Sequence, residues 1–414
     1  MSVSNWAERP YDIIIFGATS FVGKLLVRYM LETYGTGQGL NWALAGRSES
    51  KLNALTGDLG IEAGALQSLV GDATDPAFLN DLASKTRVIV TTVGPYALYG
   101  NGMVEACVAQ GTDYCDLTGE VQWINRMIAR HHEAAQQSGA RIVHTCGFDC
   151  IPADMGVHFL QSRAIEAFGQ PARSVKMNVH GFSGGVSGGT AASMVNVMKE
   201  MGEDPSLRSL MRDHYSLVPA NAPARPRQPE SAMLKKDDDS GAWTIPFIMA
   251  AVDTRVVHRT NALRGMPYGA DFTYEEVMEV GEGLKGALAG MGSVAGSALF
   301  AGLAAFGPTR ALLERFVLPK PGEGPSPEAQ EKGYFDLRFY GSTAQGQIIK
   351  TKVTGDRDPG YGSTCKMLGE SAMCLLRDVD RTTTGGGLFT PASAMGDALI
   401  ERLTKNAGLT FERV

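Results

Sequence analysis

Between positions 11 and 152, apolar residues follow two different periods in turn. Short apolar runs of β type stand at 12–16, 42–45, 66–70, 88–93 and 142–145. Between the first two the spacing is helical: "VGKLLVRYMLETY" places Val22, Leu25, Leu26, Tyr29 and Met30 on one face. "MVEACVAQ" and "INRMIARHHEAAQQSG" are further helical runs, the second closed by Gly139. Strand–helix alternation at this spacing predicts an α/β chain with a doubly wound parallel sheet and right-handed crossovers.

After Pro152 the pattern changes. A helix over about 153–168 leads into a strand-like "SVKMNVHGF" and then the glycine-rich "SGGVSGGTAAS". The stretch 219–241 is dense in proline and charge and reads as a surface excursion or lid. "GYFDLRFYGST" and "GQIIKTKVTGD" alternate with period two and predict an antiparallel hairpin. Such strands, at 334–354, would also extend a sheet across a homodimer. Helical spacing returns at 360–379 and near 391–404. Residues 286–309 form a run of 24 without a charge, long enough to cross a bilayer. Gly, Ala and Ser dominate it, and such residues add little insertion energy while allowing close packing. Three readings stay open: a buried helix or helical hairpin, a surface-lying or lipid-facing element, and a membrane span.

The turn "GATSFVG" between the first strand and the first helix carries candidate chemistry. A pyrophosphate site needs free backbone N–H groups at a helix N-terminus and small residues that admit the phosphate. Gly17 closes the strand and Gly23 lets the helix pack on the sheet, while Thr19, Ser20, Phe21 and Val22 form the rim. Ser20 stands where many such loops carry a glycine; its hydroxyl is expected to donate to the same phosphate. "GEGLKG" (Gly281, Gly283, Gly286) matches the dinucleotide spacing to the letter. The preceding "TYEEVMEV" is too acidic for a central parallel strand, so this match is taken as coincidence.

The second strand distinguishes the nucleotides. An NAD site places an acid roughly 20 residues beyond the glycines, for the ribose hydroxyls. Here "ALAGRSESKL" brings Arg47, Ser48 and Lys51, which suit a 2′-phosphate. NADP(H) is the expected cofactor. After the fourth strand, Val93, Gly94 and Pro95 let the nicotinamide side approach the backbone, and Tyr96 and Tyr99 stand where a substrate would meet it.

Composition narrows the classes. At 414 residues, with 44% hydrophobic and 20% charged positions, the chain reads as a soluble enzyme of two domains. A net charge of −6 without a Lys/Arg block argues against a nucleic-acid partner. Six cysteines without a Cys-x-x-Cys pair, and an N-terminus lacking a secretory signal, point to reduced thiols in the cytoplasm. None of the 12 tyrosines has lysine four positions on, which removes the short-chain dehydrogenase Tyr-x-x-x-Lys pair. "GFSGG" at 181–185 fits Gly-x-Ser-x-Gly, with Asp253 and His258 downstream. The intervening "VSGG" displaces its helix from the serine, which favours a ligand-approach role for the glycines. No metal site is expected: Cys146 and Cys150 flank "GFD" at a loop spacing, and no His-Glu-x-x-His occurs. Carboxylates at strand ends, Asp116 and Glu120 in "DLTGE" and Asp149 in "CGFDCIP", are candidate proton relays or helix caps.

"GATSFVGK", "LAGRSESKL", "VGPYALYG", "DYCDLTGE", "CGFDCIPADMG", "SGGTAAS", "DPGYGSTCKMLGE" and "GGGLFTPASAMGDALI", in that order, resemble the saccharopine dehydrogenase-like oxidoreductases. The resemblance is closest to their trans-acting enoyl reductase subgroup, which serves polyketide-derived wax lipids. It implies an NADP-binding Rossmann domain at 1–152, completed by 355–414 after an inserted mixed α/β domain at 153–354 that carries the hydrophobic segment 286–309. It also implies a family often associated with membranes or lipid droplets, hence peripheral membrane contact. With the cofactor loop, it leads to an NADPH-dependent reductase of an activated C=C bond in a hydrophobic acyl or polyketide chain. Tyr96, or an ordered water, would then supply the proton, and Asp149 is the second catalytic candidate. C–N oxidoreduction and a non-catalytic NADP sensor or membrane adaptor are the competing readings.

Overall fold

The computed structural model describes residues 6–37, 39–184, 188–223, 225–230, 232–305, 307–316 and 323–414. Its strands are β1 (Tyr11–Phe16), β2 (Trp42–Gly46), β3 (Gln67–Val70), β4 (Thr86–Thr91), β5 (Asp113–Cys115), β6 (Arg141–Val143) and β7 (Ala172–Ser183). There follow β8 (Lys235–Lys236), β9 (Trp243–Pro246), β10 (Thr273–Gly281), β11 (Tyr334–Thr343), β12 (Ile348–Gly355), β13 (Gly387–Phe389) and β14 (Leu409–Arg413). Contacts divide the chain into two units: Met1–Ile151 with Gly360–Gly408, and Pro152–Pro359 with Leu409–Val414.

The first unit is built on a seven-stranded sheet in the order β13-β6-β5-β4-β1-β2-β3. Every pairing in it is parallel. From β1 the chain winds outward through β2 and β3, then returns to β4 and winds the other way. The reversal leaves a crevice at the carboxyl ends of β1 and β4, where dinucleotides bind in such sheets. Ile13, Ile14, Ile15 and Phe16 in β1, and Val88, Ile89 and Val90 in β4, are buried. Both faces of a parallel sheet are covered, so its central strands read as unbroken apolar runs.

Two strands escaped the apolar pattern. β5 has three residues and starts on a charged one, Asp113, which is fully buried. Arg141 Nη2, 2.5 Å from Asp113 Oδ2, and Arg381 Nη1, 2.6 Å from Oδ1, compensate that charge. β13, also three residues, pairs with β6 through Gly387↔Arg141 to Phe389↔Val143. The expected strand at 142–145 ends at Val143, because Thr145 turns into the left-handed region at φ +63°.

The second unit holds a mixed sheet ordered β14-β12-β11-β7-β10-β9-β8. β11 and β12 form the expected antiparallel hairpin, from Phe335↔Gly355 to Ser342↔Ile348. In both strands, burial alternates residue by residue. "TYEEVMEV", judged too acidic for an interior strand, lies in β10, parallel to β7 and antiparallel to β9. Alternation resolves the conflict. Glu275 and Glu279 lie on one face, where His180 Nδ1 stands 2.8 Å from Glu279, while Glu276 is buried on the other. There Tyr274 Oη donates to Glu276 Oε1 at 2.8 Å, and burial pushes the Glu276 carboxyl up to about 8, so it enters the core protonated.

The reading of 355–414 as one returning segment is corrected at its end. After Gly408, at φ +74°, the last residues leave the first unit and pair as β14 with β12, Gly355↔Leu409 to Thr351↔Arg413. Among the described residues of 219–241 most are irregular, with β8 at the sheet edge. The uncharged run lies in the helix Gly283–Ala305 and the start of the helix Gly307–Phe316; Phe306 is outside the described residues. The buried reading does not hold: Leu288 (56% exposed), Met291 (51%) and Leu299 (65%) face outward. Gly283–Ala304 is long and apolar enough to cross a membrane by length and composition alone.

Candidate functional site

The turn after β1 is held from within. Gly17 lies at φ +88°, and a Cβ there would meet Thr92 Oγ1 and Val93 Cγ2 at 2.8 Å. At Gly23, in the first turn of α1 (Phe21–Tyr34), a Cβ would stand 2.2 Å from the Gly17 carbonyl oxygen. Only glycine lets the helix start this close to the strand. Ser20 is the N-cap: its Oγ accepts from Gly23 N at 2.9 Å. Thr92 Oγ1 donates to the Gly17 carbonyl at 2.9 Å, so the Ser20 hydroxyl, 2.8 Å from Thr92 Oγ1, gives its proton to Thr92.

Ser20 is therefore not a free donor for a phosphate, which corrects the expectation for its hydroxyl. Among the described residues, the N–H groups of Thr19, Phe21 and Val22 have no partner, nor has the Thr19 hydroxyl. These unspent donors, at the positive end of α1 and over a floor without side chains, fit a pyrophosphate.

One strand over, Arg47 follows β2 and is exposed, with no hydrogen bond or ion pair among the described residues. Ser48 caps α2 (Glu49–Asp58), its Oγ accepting from Lys51 N at 3.4 Å, and the Lys51 side chain is exposed. The Asp72 carboxyl is held below its usual range by the bonds from Thr74 and, to a lesser degree, by the Arg47 guanidinium. Exposed cations at the end of β2 and in the first turn of α2 fit a 2′-phosphate better than a bare ribose. Asp72 was not singled out from sequence; its place opposite Arg47 follows from β2 and β3 being neighbours.

At the nicotinamide end, loops after β4, β5 and β6 converge. Tyr96 is corrected as a proton donor. Its ring is buried, its hydroxyl donates to the Thr91 carbonyl at 3.0 Å, and burial pushes that hydroxyl well above its ordinary range. Glu120 does not face a reactant either; its two oxygens accept from Tyr96 N at 2.7 Å and Ala97 N at 2.9 Å. It thereby fixes the segment after Val93, Gly94 and Pro95, where Gly94, Leu98 and Tyr99 are exposed.

Asp116, buried, accepts at Oδ1 from Thr118 N (3.1 Å) and Thr145 N (3.0 Å). At Oδ2 it accepts from Tyr114 Oη (2.9 Å) and meets His144 Nδ1 at 2.7 Å. His144, missed in the sequence, packs edge-on to Trp123 with centroids 5.0 Å apart, and its buried Nε2 has no partner among the described residues. The one signal was its position just after the apolar pair Ile142 and Val143.

Asp149 differs from these. It is half-buried, makes no hydrogen bond or ion pair among the described residues, and burial alone pushes its carboxyl up to about 6. Such a group exchanges a proton near neutral pH.

Other candidates fall away from this edge. Ser183 ends β7, Gly185 lies outside the described residues, and Asp253 and His258 share the helix Ala250–Leu263, buried. Cys146 and Cys150 are buried free thiols. At "GEGLKG" the local geometry repeats: Gly281 has φ +109°, and a Cβ on Gly286 would stand 2.2 Å from the Gly281 carbonyl oxygen. The chain then returns as β11, antiparallel to β7, so among the described residues no parallel crossover follows and no second strand offers ribose contacts.

Comparison with known proteins agrees with this geometry. Residues 13–143 match the saccharopine dehydrogenase NADP-binding domain. The chain is 41% identical over 418 residues to a protein of Mycobacterium tuberculosis (strain ATCC 25618 / H37Rv) provisionally named a trans-acting enoyl reductase, with 98% of this chain and 97% of that one covered. A trans-acting enoyl reductase of Mycobacterium ulcerans is 38% identical over 413 residues, covering 96% of each. Apo saccharopine dehydrogenase (L-Glu forming) from Saccharomyces cerevisiae shares the fold, at TM-score 0.56 and 12% identity, over 98% of this chain and 100% of that one. The chain thus belongs to the saccharopine dehydrogenase-like family, is similar to the trans-acting enoyl reductases over nearly its whole length, and is an NADP-dependent oxidoreductase.

Proposed function

We propose that this oxidoreductase reduces the C=C bond of an α,β-unsaturated acyl group on a hydrophobic chain. The observation that carries the reading is Asp149, an unpartnered carboxyl at the carboxyl edge of the parallel sheet, set by burial to about 6. NADPH, when bound, supplies the hydride. Addition at the β-carbon drives the π electrons toward the carbonyl, and the resulting enolate takes a proton at the α-carbon. Asp149 donates that proton and is reprotonated from water. In this reading the N–H groups of Thr19, Phe21 and Val22 hold the pyrophosphate, with Gly17, Ser20 and Gly23 shaping the turn. Arg47, Ser48 and Lys51 hold the 2′-phosphate, and Val93, Gly94 and Pro95 border the nicotinamide. The names of the mycobacterial relatives support the reaction class. The outward apolar side chains of Gly283–Ala305 support a lipid-like substrate and contact with a membrane surface.

The test follows NADPH oxidation with unsaturated thioesters of increasing chain length. Turnover is expected, with kcat lowered roughly 100-fold or more in D149N. In R47A, NADPH affinity should fall roughly 10- to 100-fold with NADH affinity unchanged, the loss of one charged contact. Tight NADPH binding without oxidation in any chain-length class would overturn the reaction and favour the sensor reading.

A further inference from the structure

Thr145 is a β-branched residue at φ +63°, a conformation such side chains avoid. It stands four positions before Asp149, and two bonds hold it. Its N–H reaches Asp116 Oδ1 at 3.0 Å, and its hydroxyl donates to the His144 carbonyl at 2.6 Å. Asp116 is tied in turn to the loop after β6 by its carbonyl, which accepts from Cys146 N at 2.7 Å, and to His144 by Oδ2. Four donors on one buried carboxylate, with no lysine or arginine among them, are more than helix capping needs. Strain persists only where the surroundings over-determine it, and it gathers at functional sites.

We propose that Asp116 is a positioning residue: it clamps the left-handed turn at Thr145, and that turn holds the segment carrying Asp149 so that its carboxyl stays half-buried and unpartnered at the sheet edge. The inference rests on the reading of Asp149 as the proton donor. Its physical content is nevertheless separate, because the clamp acts on Asp149 whether or not a substrate is known. Asp116→Asn keeps the shape but removes the charge and turns one oxygen into a donor. Facing Tyr114 Oη and His144 Nδ1 on one side and the N–H groups of Thr118 and Thr145 on the other, the neutral amide holds Thr145 N less tightly or gives it up. Thr145→Gly takes the left-handed turn without steric cost, so the turn no longer needs the clamp.

The experiment is a carbon-13 NMR titration of the aspartate carboxyls in the full chain without substrate, with Asp149 assigned by its absence in D149N. In the wild type its midpoint is expected at about 6, where burial is the only cause of the shift. In D116N the midpoint should fall by one unit or more toward the ordinary aspartate value of about 3.9. In D116N/T145G it should return. An unmoved midpoint in folded D116N overturns the proposal, and so does a moved midpoint that glycine does not restore. Should D116N fail to fold, T145V loads the same turn from its other bond, and an unmoved midpoint there has the same meaning. With an unsaturated thioester, kcat should fall tenfold or more in D116N at unchanged KM for NADPH, and recover in the double variant. A wild type inactive on every thioester sinks the reaction class, while the titration still decides the clamp.

Discussion

Burial raises two carboxyls: Asp149, where it is the sole cause, and Glu276, where it outweighs the bonds from Tyr274 and Asp253. Both are raised above the ordinary range, so the fold holds a proton that the unfolded chain releases. Their contribution to stability is full below about pH 4 and is lost as pH rises, through about 6 for Asp149 and about 8 for Glu276. The urea midpoint should therefore fall between about pH 5 and pH 8, and E276Q should flatten most of that slope. A wild-type midpoint constant over this window would show that neither carboxyl is protonated in the fold. Residues legible at this scale were those whose chemistry faces outward, such as Arg47 beyond β2. Tyr96 and Ser20 were misread because their hydroxyls are consumed by Thr91 and Thr92, partners that appear only when the strands pair.

Among the elements, the β1–α1 unit and the β10–helix unit make the same turn. In each, a Cβ on the glycine inside the helix would stand 2.2 Å from the carbonyl oxygen of a glycine at the strand's end, Gly17 just after β1 and Gly281 the last of β10. An alanine must push helix and strand apart, an overpacking cost of about 1–3 kcal/mol. G23A and G286A should both lower the thermal midpoint, but only G23A should abolish NADPH binding, as read by calorimetry. Loss of NADPH affinity in G286A would make the second turn a nucleotide site after all. The spacing of glycines marks a tight strand–helix turn in both places. Whether the turn meets a nucleotide depends on the next strand, which is parallel after α1 and absent as a parallel neighbour after Gly283–Ala305.

Across the whole molecule, the chain crosses between its two units three times, after Ile151, Pro359 and Gly408. The last crossing gives the second unit a strand of five residues, with Leu409 buried, and covers β12. Truncation after Gly408 removes that strand, exposes a new sheet edge and forfeits about 2–3 kcal/mol from Leu409 alone. Calorimetric scans should show the second unit melting earlier, while NADPH affinity stays within about twofold of the full chain. A fall in NADPH affinity as large as that of R47A would mean that β14 supports the nucleotide site.

What the sequence by itself determined was local. Unbroken apolar runs require strands covered on both faces, helical spacing between them requires crossovers, and paired glycines require a tight turn. A parallel Rossmann sheet and an NADP(H) cofactor follow from those three together with Arg47. Only the tertiary structure decided what depends on residues distant in the chain. Arg141 and Arg381 allow Asp113 into a strand, Tyr274 receives Glu276 in the core, and Asp116 holds Thr145 in a strained turn ahead of Asp149. Burial and hydrogen bonding are properties of pairs, and a buried carboxyl has no chemistry until its partners, or their absence, are known.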